Sequence, residues 1–219
     1  MNQPILNAIH TTGYCILKNQ LKVSSADLSE LFAQINHSSV AIFNHDWDNN
    51  DKKRMQRVLQ KEKIGFIHAL DDVVNRINPN LTQSTWVIIK SDAGCKKQMA
   101  HLDYVPTAEF SSVVKNDTSF IPLLVLVGVM DNTYIHIWEN SIAITNETYD
   151  GPSVPSTKIL LNKGDVLVFR SDVIHAGSEY DELNIRLHCY LDSPKVARDE
   201  DTTFIISLDA PATNKIIVE

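Results

Sequence analysis

The stretch from 163 to 192, "KGDVLVFRSDVIHAGSEYDELNIRLHCYLD", decides the reading of this chain. It opens on a Gly-Asp turn, runs through an apolar segment, and reaches His175 after a short polar turn. Eleven positions later Arg186 lies inside a second apolar run. Side chains on a strand alternate between its two faces. Over 184–191 this puts Asn184, Arg186, His188 and Tyr190 on one face and Ile185, Leu187, Cys189 and Leu191 on the other. An inward face bearing a guanidinium is expensive unless an anion meets it. A carboxylate-bearing ligand, held bidentately by Arg186, would satisfy it. An ordinary ion pair of Arg186 with Asp181 or Glu182 is the competing reading.

A partner for His175 lies upstream in "QMAHLDYVP", where His101 and Asp103 sit two residues apart. On a strand that spacing turns both side chains to one face, about 7 Å apart along the chain. Alone the pair says little. With 8 His and 27 acidic residues in 219, a His-x-acid triplet arises about once by chance. Joined to His175 it gives two imidazoles and one carboxylate, the facial set that leaves open positions on a ferrous ion. His175 follows a strand and a turn, so it is expected at a strand end, at the mouth of a barrel. A hairpin is expected to carry His175 and Arg186 on neighbouring strands into one pocket.

Around these residues the chain changes character once. The first third reads as helical. Ser24 to Asp27 forms a capping box for a helix with Leu28, Leu31, Phe32 and Ile35 inward. The segment 50–63 reads as a basic helix with Met55, Val58 and Leu59 inward, and 70–78 as a third, stopped by Pro79. A short strand is expected at 13–17. From residue 84 onward, apolar runs rich in Val, Ile, Leu and Tyr alternate with turn residues, as expected of strands. They fall at 84–91, 98–104, 120–130, 133–139, 156–161, 165–170, 173–177, 183–192 and 203–208. The expected fold is α+β, mainly β, with the helices packed on one side of a sandwich or barrel.

Composition sets the outer limits. A length of 219 residues fits one domain. A net charge of −7 counts against a general nucleic-acid binder, without excluding a local basic groove. Three distant Cys without a CxxC pair suggest neither a zinc ribbon nor a disulfide framework, and free thiols fit a reducing compartment. The first twenty residues have no signal-peptide pattern and "IPLLVLVGVM" (121–130) is too short to span a bilayer. The expectation is a cytoplasmic protein with no membrane partner. Lys52, Lys53, Arg54 and Arg57 read as a solvated helix face, or as a seat for a polyanionic substrate.

The order His101-x-Asp103, His175, Arg186 resembles that of the Fe(II)/2-oxoglutarate-dependent oxygenases, which have a double-stranded β-helix (jelly-roll, cupin-like barrel) core. The branch most similar is the phytanoyl-CoA dioxygenase-like group. Gly13-Tyr14-Cys15-Ile16-Leu17 matches its N-terminal strand, and Gly164, Asp165, Phe169, His175 and Gly177 match its "G-D-x-x-x-F…H-x-G" segment. Of its "P-G-S-H" motif, "WENSI" (138–142) keeps only Ser141. The resemblance implies a single oxygenase domain over 1–219, with 1–83 a helical N-terminal extension and 84–208 the core. It implies that His101, Asp103 and His175 bind Fe(II) and that Arg186 holds the distal carboxylate of 2-oxoglutarate. His188 and Tyr190 are candidates to line the cosubstrate pocket, and ascorbate is a candidate reductant. The implied reaction couples decarboxylation of 2-oxoglutarate, to succinate and CO₂, with hydroxylation of an unidentified small molecule or macromolecular side chain. A carboxylate at position 103 favours hydroxylation over halogenation. Asp192 stands where nucleic-acid demethylases of the AlkB type carry a second Arg.

Three readings compete with hydroxylation: a nucleic-acid or protein demethylase on the same fold, a cupin-like metalloprotein that does not use 2-oxoglutarate, and a binding module without turnover. His136 is read as packing rather than pocket, and Cys95 as a loop residue. Substrate choice falls to 105–119, 143–155 and the N-terminal helices, which carry no readable motif. Oligomeric state is not encoded in any feature of the sequence.

Overall fold

The computed structural model describes residues 3–42, 52–139, 141, 155–199 and 203–206. Positions 50 and 51 of the expected basic helix, 207 and 208 of the last expected strand, Asn140 and Ile142 of "WENSI" and most of 143–155 lie outside the described residues.

Two antiparallel sheets carry the chain. The larger contains β1 (Tyr14–Leu17), β2 (Val40–Ala41), β3 (Arg54–Val58), β4 (Thr82–Gln83), β5 (Val87–Ser91), β7 (Leu123–Gly128), β10 (Val166–Arg170) and β12 (Asn184–Asp192). The smaller contains β6 (His101–Leu102), β8 (Thr133–Ile137), β9 (Thr157–Leu161), β11 (His175–Gly177) and β13 (Phe204–Ile205). Strand order is β1-β10-β7-β12-β5-β3-β2 in the first sheet, with β4 also on β12, and β13-β6-β11-β8-β9 in the second. The mainly β, double-stranded β-helix expectation holds, but the sheets face each other without closing into a barrel.

Alternation along the central strands explains the layering. Leu123, Val125 and Val127 of β7, Val166 and Val168 of β10, and Ile185, Leu187 and Cys189 of β12 point to one core. There they meet α1 (Gln3–Thr12), α2 (Ser25–His37) and α3 (Ile67–Asn75) through Ile9, Leu31, Ile35, Leu70 and Val74. Leu124, Leu126, Leu167 and Phe169 point the other way, between the sheets, against Ile135, Ile137, Ile159 and Leu161. Strands buried on both faces lose the polar alternation of a one-sided sheet, which is why 121–130 reads as a continuous apolar run. The helices lie on one side, as expected, and Ser24 caps α2 in a reciprocal capping box with Asp27.

Four expectations need correction. Residues 54–58 form β3, paired with β5 and β2, where a basic helix was expected. Met55, Val58 and Leu59 mimic helical spacing, but Arg54, Gln56 and Val58 share one face of a strand. The basic run accordingly dissolves as a single surface: Arg54 is buried, and Arg57 Nη1 donates to the carbonyls of Gln34 and Ser38 at the end of α2. Residues 1–83 are therefore not purely helical, since β1, β2 and β3 belong to the larger sheet. Two helices are unannounced: α1, and α4 (Ala108–Asn116), whose N-cap Thr107 accepts from the Phe110 amide. Finally, β11 and β12 are not hairpin neighbours. They lie in opposite sheets, so His175 and Arg186 face each other across the space between layers.

The Gly-Asp turn of the opening stretch locks the sheet edge. Gly164 (φ +92°) receives the Gln20 and Leu21 amides on its carbonyl, while Asp165 accepts from Lys18 Nζ, Asn19 N and Asn162 N. A Cβ at 164 would collide with the Leu21 carbonyl. Positive φ and this contact together predict that Gly164→Ala lowers unfolding free energy by about 2 kcal/mol or more, measured by urea denaturation.

Candidate metal centre

Pairing of β6 with β11 sets His175 directly opposite His101. Asp103 follows β6 by one residue and turns to the same side. Its Oδ1 lies 3.5 Å from His101 Nε2 and 3.7 Å from His175 Nε2. One ligand atom from each of the three lies within 4.8 Å of the others, a spacing at which a single ion can touch all of them.

The outer contacts settle which atoms are offered. His101 Nδ1 donates to the Met99 carbonyl (2.7 Å) and His175 Nδ1 to the Val173 carbonyl (3.1 Å). Both rings therefore present a bare Nε2 to the centre, the tautomer a metal requires. Tyr190 Oη donates to Asp103 Oδ2 at 3.0 Å and leaves Oδ1 turned to the imidazoles. The donor set of two neutral nitrogens and one carboxylate fits a divalent first-row metal with open positions.

Electrostatics agree. Burial, reinforced by His175, pushes the His101 pKa down to about 4, and burial brings His188 down to about 4 as well. Burial works against an ionised Asp103, but His175, His101 and His188 outweigh it and hold the carboxyl far below its ordinary range. His101 and Asp103 are thus in their metal-binding protonation states near neutrality.

The triad opens into a cavity of about 790 Å³ between the two sheets. Arg186, His188 and Tyr190 of β12 line it from the larger sheet, so all six sequence-derived site residues border one space. His188 Nδ1 donates to the Val125 carbonyl, which turns Nε2 toward Asp103 Oδ2, 4.0 Å away. Arg186 is 3 % exposed, yet among the described residues no carboxylate lies within ion-pair distance of it. Asp181 and Glu182 do not pair with it. Its Nη1 donates to Ser91 Oγ at 2.9 Å, and burial lowers its pKa to about 10.

His136 stays out of the cavity, bonded to Ser156 Oγ and Glu179 Oε2, in keeping with its reading as packing. Cys15, Cys95 and Cys189 are free thiols. Sequence reasoning missed Ser91, Gln98 and the group in which Tyr104 and Arg198 both bond Asp192, with Asp192 and Arg198 lining the cavity. Ser91 was findable, since Val87, Ile89 and Ser91 alternate on one face of β5. Arg198 was not, as nothing local marks it.

Two expected outcomes follow for the centre itself. Tyr190→Phe frees Asp103 Oδ2 and is expected to weaken divalent-metal affinity about 10-fold, read by isothermal titration. In the metal-free protein His101 and His188 are neutral when folded, with pKa values of about 4, against 6.5 when unfolded. The unfolded chain then binds more protons in that window, so melting temperature falls as pH drops from 6.5 toward 4. His188→Gln should flatten that slope.

No family model matches the chain, and no curated protein matches its sequence. Solved structures do. A non-haem alpha-ketoglutarate-dependent epimerase, SnoN from nogalamycin biosynthesis, superposes with a TM-score of 0.64 at 12% identity, covering 95% of this chain and 84% of its own. A prolyl-4-hydroxylase from Pseudomonas putida gives 0.61 at 11% identity, covering 88% and 99%. A prolyl hydroxylase from Trichoplax adhaerens, solved with a hypoxia-inducible-factor peptide, gives 0.59 at 14% identity, covering 87% and 88%. The likeness extends to the superfamily fold, while the phytanoyl-CoA dioxygenase-like branch rests on sequence motifs alone. With its two facing sheets and its His101–Asp103–His175 cluster between them, the chain has the double-stranded β-helix fold of the non-haem iron, 2-oxoglutarate-dependent oxygenases.

Proposed function

We propose that this protein is an Fe(II)/2-oxoglutarate-dependent dioxygenase that hydroxylates a substrate admitted through the cavity between the sheets. The observation that carries the reading is the pairing of a metal-ready triad with a buried guanidinium that has no carboxylate partner, in one cavity. A triad alone suits many metalloproteins. A buried Arg186 beside it, without a carboxylate partner among the described residues, calls for an anionic cosubstrate.

His101 Nε2, His175 Nε2 and Asp103 Oδ1 would hold the iron, and Arg186 would receive the distal carboxylate of 2-oxoglutarate as a charge-assisted pair. Bound iron supplies oxygen activation, coupled to loss of CO₂ from the cosubstrate. The protein's own share is positional. The carbonyls of Met99 and Val173 fix both imidazoles, and Tyr190 fixes the carboxylate rotamer. Phe169, edge-on to His175 at 5.0 Å, and Leu126 and Ile135 keep that side of the cavity apolar and exclude water. The iron and 2-oxoglutarate named in the structural relatives support this assignment. The cupin-like alternative leaves Arg186 without a role.

The test is an anaerobic titration of the metal-free protein with Fe(II) and then 2-oxoglutarate, following the visible metal-to-ligand charge-transfer band. Wild type should develop the band. Asp103→Ala should lose it with the metal, and Arg186→Ala should bind iron but need about 100-fold more 2-oxoglutarate, the scale of one buried charge pair. Bound iron with no band at any 2-oxoglutarate concentration would sink the proposal.

A further inference from the structure

Arg54 is a second buried guanidinium, next to Arg186, and the proposed reaction has not yet used it. It enters from β3 at 1 % exposure and ranks among the largest fully buried side chains. Its Nη1 donates to Ser91 Oγ at 3.1 Å, the same oxygen that receives Arg186 Nη1 at 2.9 Å. Its Nη2 donates to the carbonyls of Lys96 and Ser178, each at 2.8 Å, and lies 3.6 Å from Cys95 Sγ. Its Nε is buried with no partner. Among the described residues no carboxylate pairs with Arg54, and none pairs with Arg186.

Two like charges sharing one hydroxyl repel, and each has also lost its hydration. Backbone carbonyls satisfy donor geometry but bring no negative charge. Substitution at 177 is closed as well. A Cβ on Gly177, which lines the cavity, would meet Arg54 Nη1 at 2.8 Å and collide with the Gln98 amide oxygen. The cavity wall is therefore thinned to bare backbone where Arg54 lies behind it.

We propose that Arg54 is a positioning residue for the cosubstrate: through Ser91 it orients Arg186, and its charge makes this end of the cavity select a 2-oxo acid with a second, distal carboxylate over a 2-oxo monocarboxylate. The inference rests on the 2-oxoglutarate reading of the site. It assigns Arg54 no contact with the ligand. A ligand carboxylate at Arg186 would offset both guanidinium charges, which accounts for keeping them side by side. A monocarboxylate, held only at the metal end, would leave that repulsion in place.

The test compares affinities of Fe(II)-loaded protein for 2-oxoglutarate and for 2-oxobutyrate, by anaerobic titration, in wild type, Arg54→Met, Arg54→Lys and Ser91→Ala. Arg54→Met is expected to weaken 2-oxoglutarate about 10-fold while changing 2-oxobutyrate less than about 2-fold, as removal of a buried like-signed charge from an anion site predicts. Arg54→Lys should recover most of the preference, since it restores the charge. A purely structural Arg54 would weaken both acids alike, and that equal loss overturns the proposal, as does an unchanged ratio. If Arg54→Met does not fold, Ser91→Ala decides by the same ratio: a selective loss of 2-oxoglutarate supports the role and an equal loss ends it. Wild type that binds neither acid would instead refute the cosubstrate reading beneath it, a result distinct from either.

Discussion

The strand at 184–192 is the constraint on which the rest of the structure depends. It pairs with β5 on one side and β7 on the other, so its backbone is committed in both directions. Its odd-numbered residues Ile185, Leu187, Cys189 and Leu191 enter the helix-covered core. Burying those four is worth several kcal/mol, at about 1.5–3 kcal/mol for a large aliphatic side chain. A slip of one residue would move them into the cavity and drive Arg186 and His188 against the helices. The register that secures the core is therefore the one that aims the polar side chains at the candidate metal centre.

Placing the centre between layers gives each sheet a separate task. The smaller sheet contributes the imidazoles, because β6 and β11 pair at His101 and His175. The larger sheet contributes Arg186, His188 and Tyr190. Tyr190 joins the two groups across the centre by donating to Asp103, and His188 Nε2 approaches the same carboxylate oxygen to 4.0 Å. Arg186 lines the cavity, with Arg54 behind it on the shared Ser91 hydroxyl, and neither guanidinium pairs with the Asp103 carboxylate. That separation allows a ligand to bridge a metal and a guanidinium, where direct neutralisation of Arg186 by Asp103 would abolish the demand for one.

The wall of the cavity around Asp192 follows a different logic. Asp192, Tyr104 and Arg198 bond one another, and the Arg198 guanidinium lies 3.9 Å over the Tyr190 ring. The residue that stands where nucleic-acid demethylases carry a second Arg is thus engaged as an acid in a local network. The basic residues expected to share one helix face are separated, since Arg54 is buried and Arg57 is engaged at the end of α2 while Lys52 and Lys53 stay exposed.

Much of the site was legible because it depends on short-range chemistry. His101-x-Asp103, His175 and Arg186 are residue types at spacings that strands impose, and alternation alone sorted β12 into a core face and a polar face. The capping box of α2 was legible for the same reason, being a contact within four residues. What failed was whatever needed a neighbour. Helical and strand spacing coincide over Met55, Val58 and Leu59, and only pairing with β5 makes 54–58 a strand. The separation of β11 and β12 into opposite sheets also lies beyond local signals, because a turn of given length permits either a hairpin or a crossing between layers. The sequence by itself determined the donor set, the fold class and the two-faced character of β12. Only the tertiary structure decided that Arg54 stands beside Arg186, because long-range strand order, set by burial on both faces of the larger sheet, brings residues 132 positions apart onto one serine.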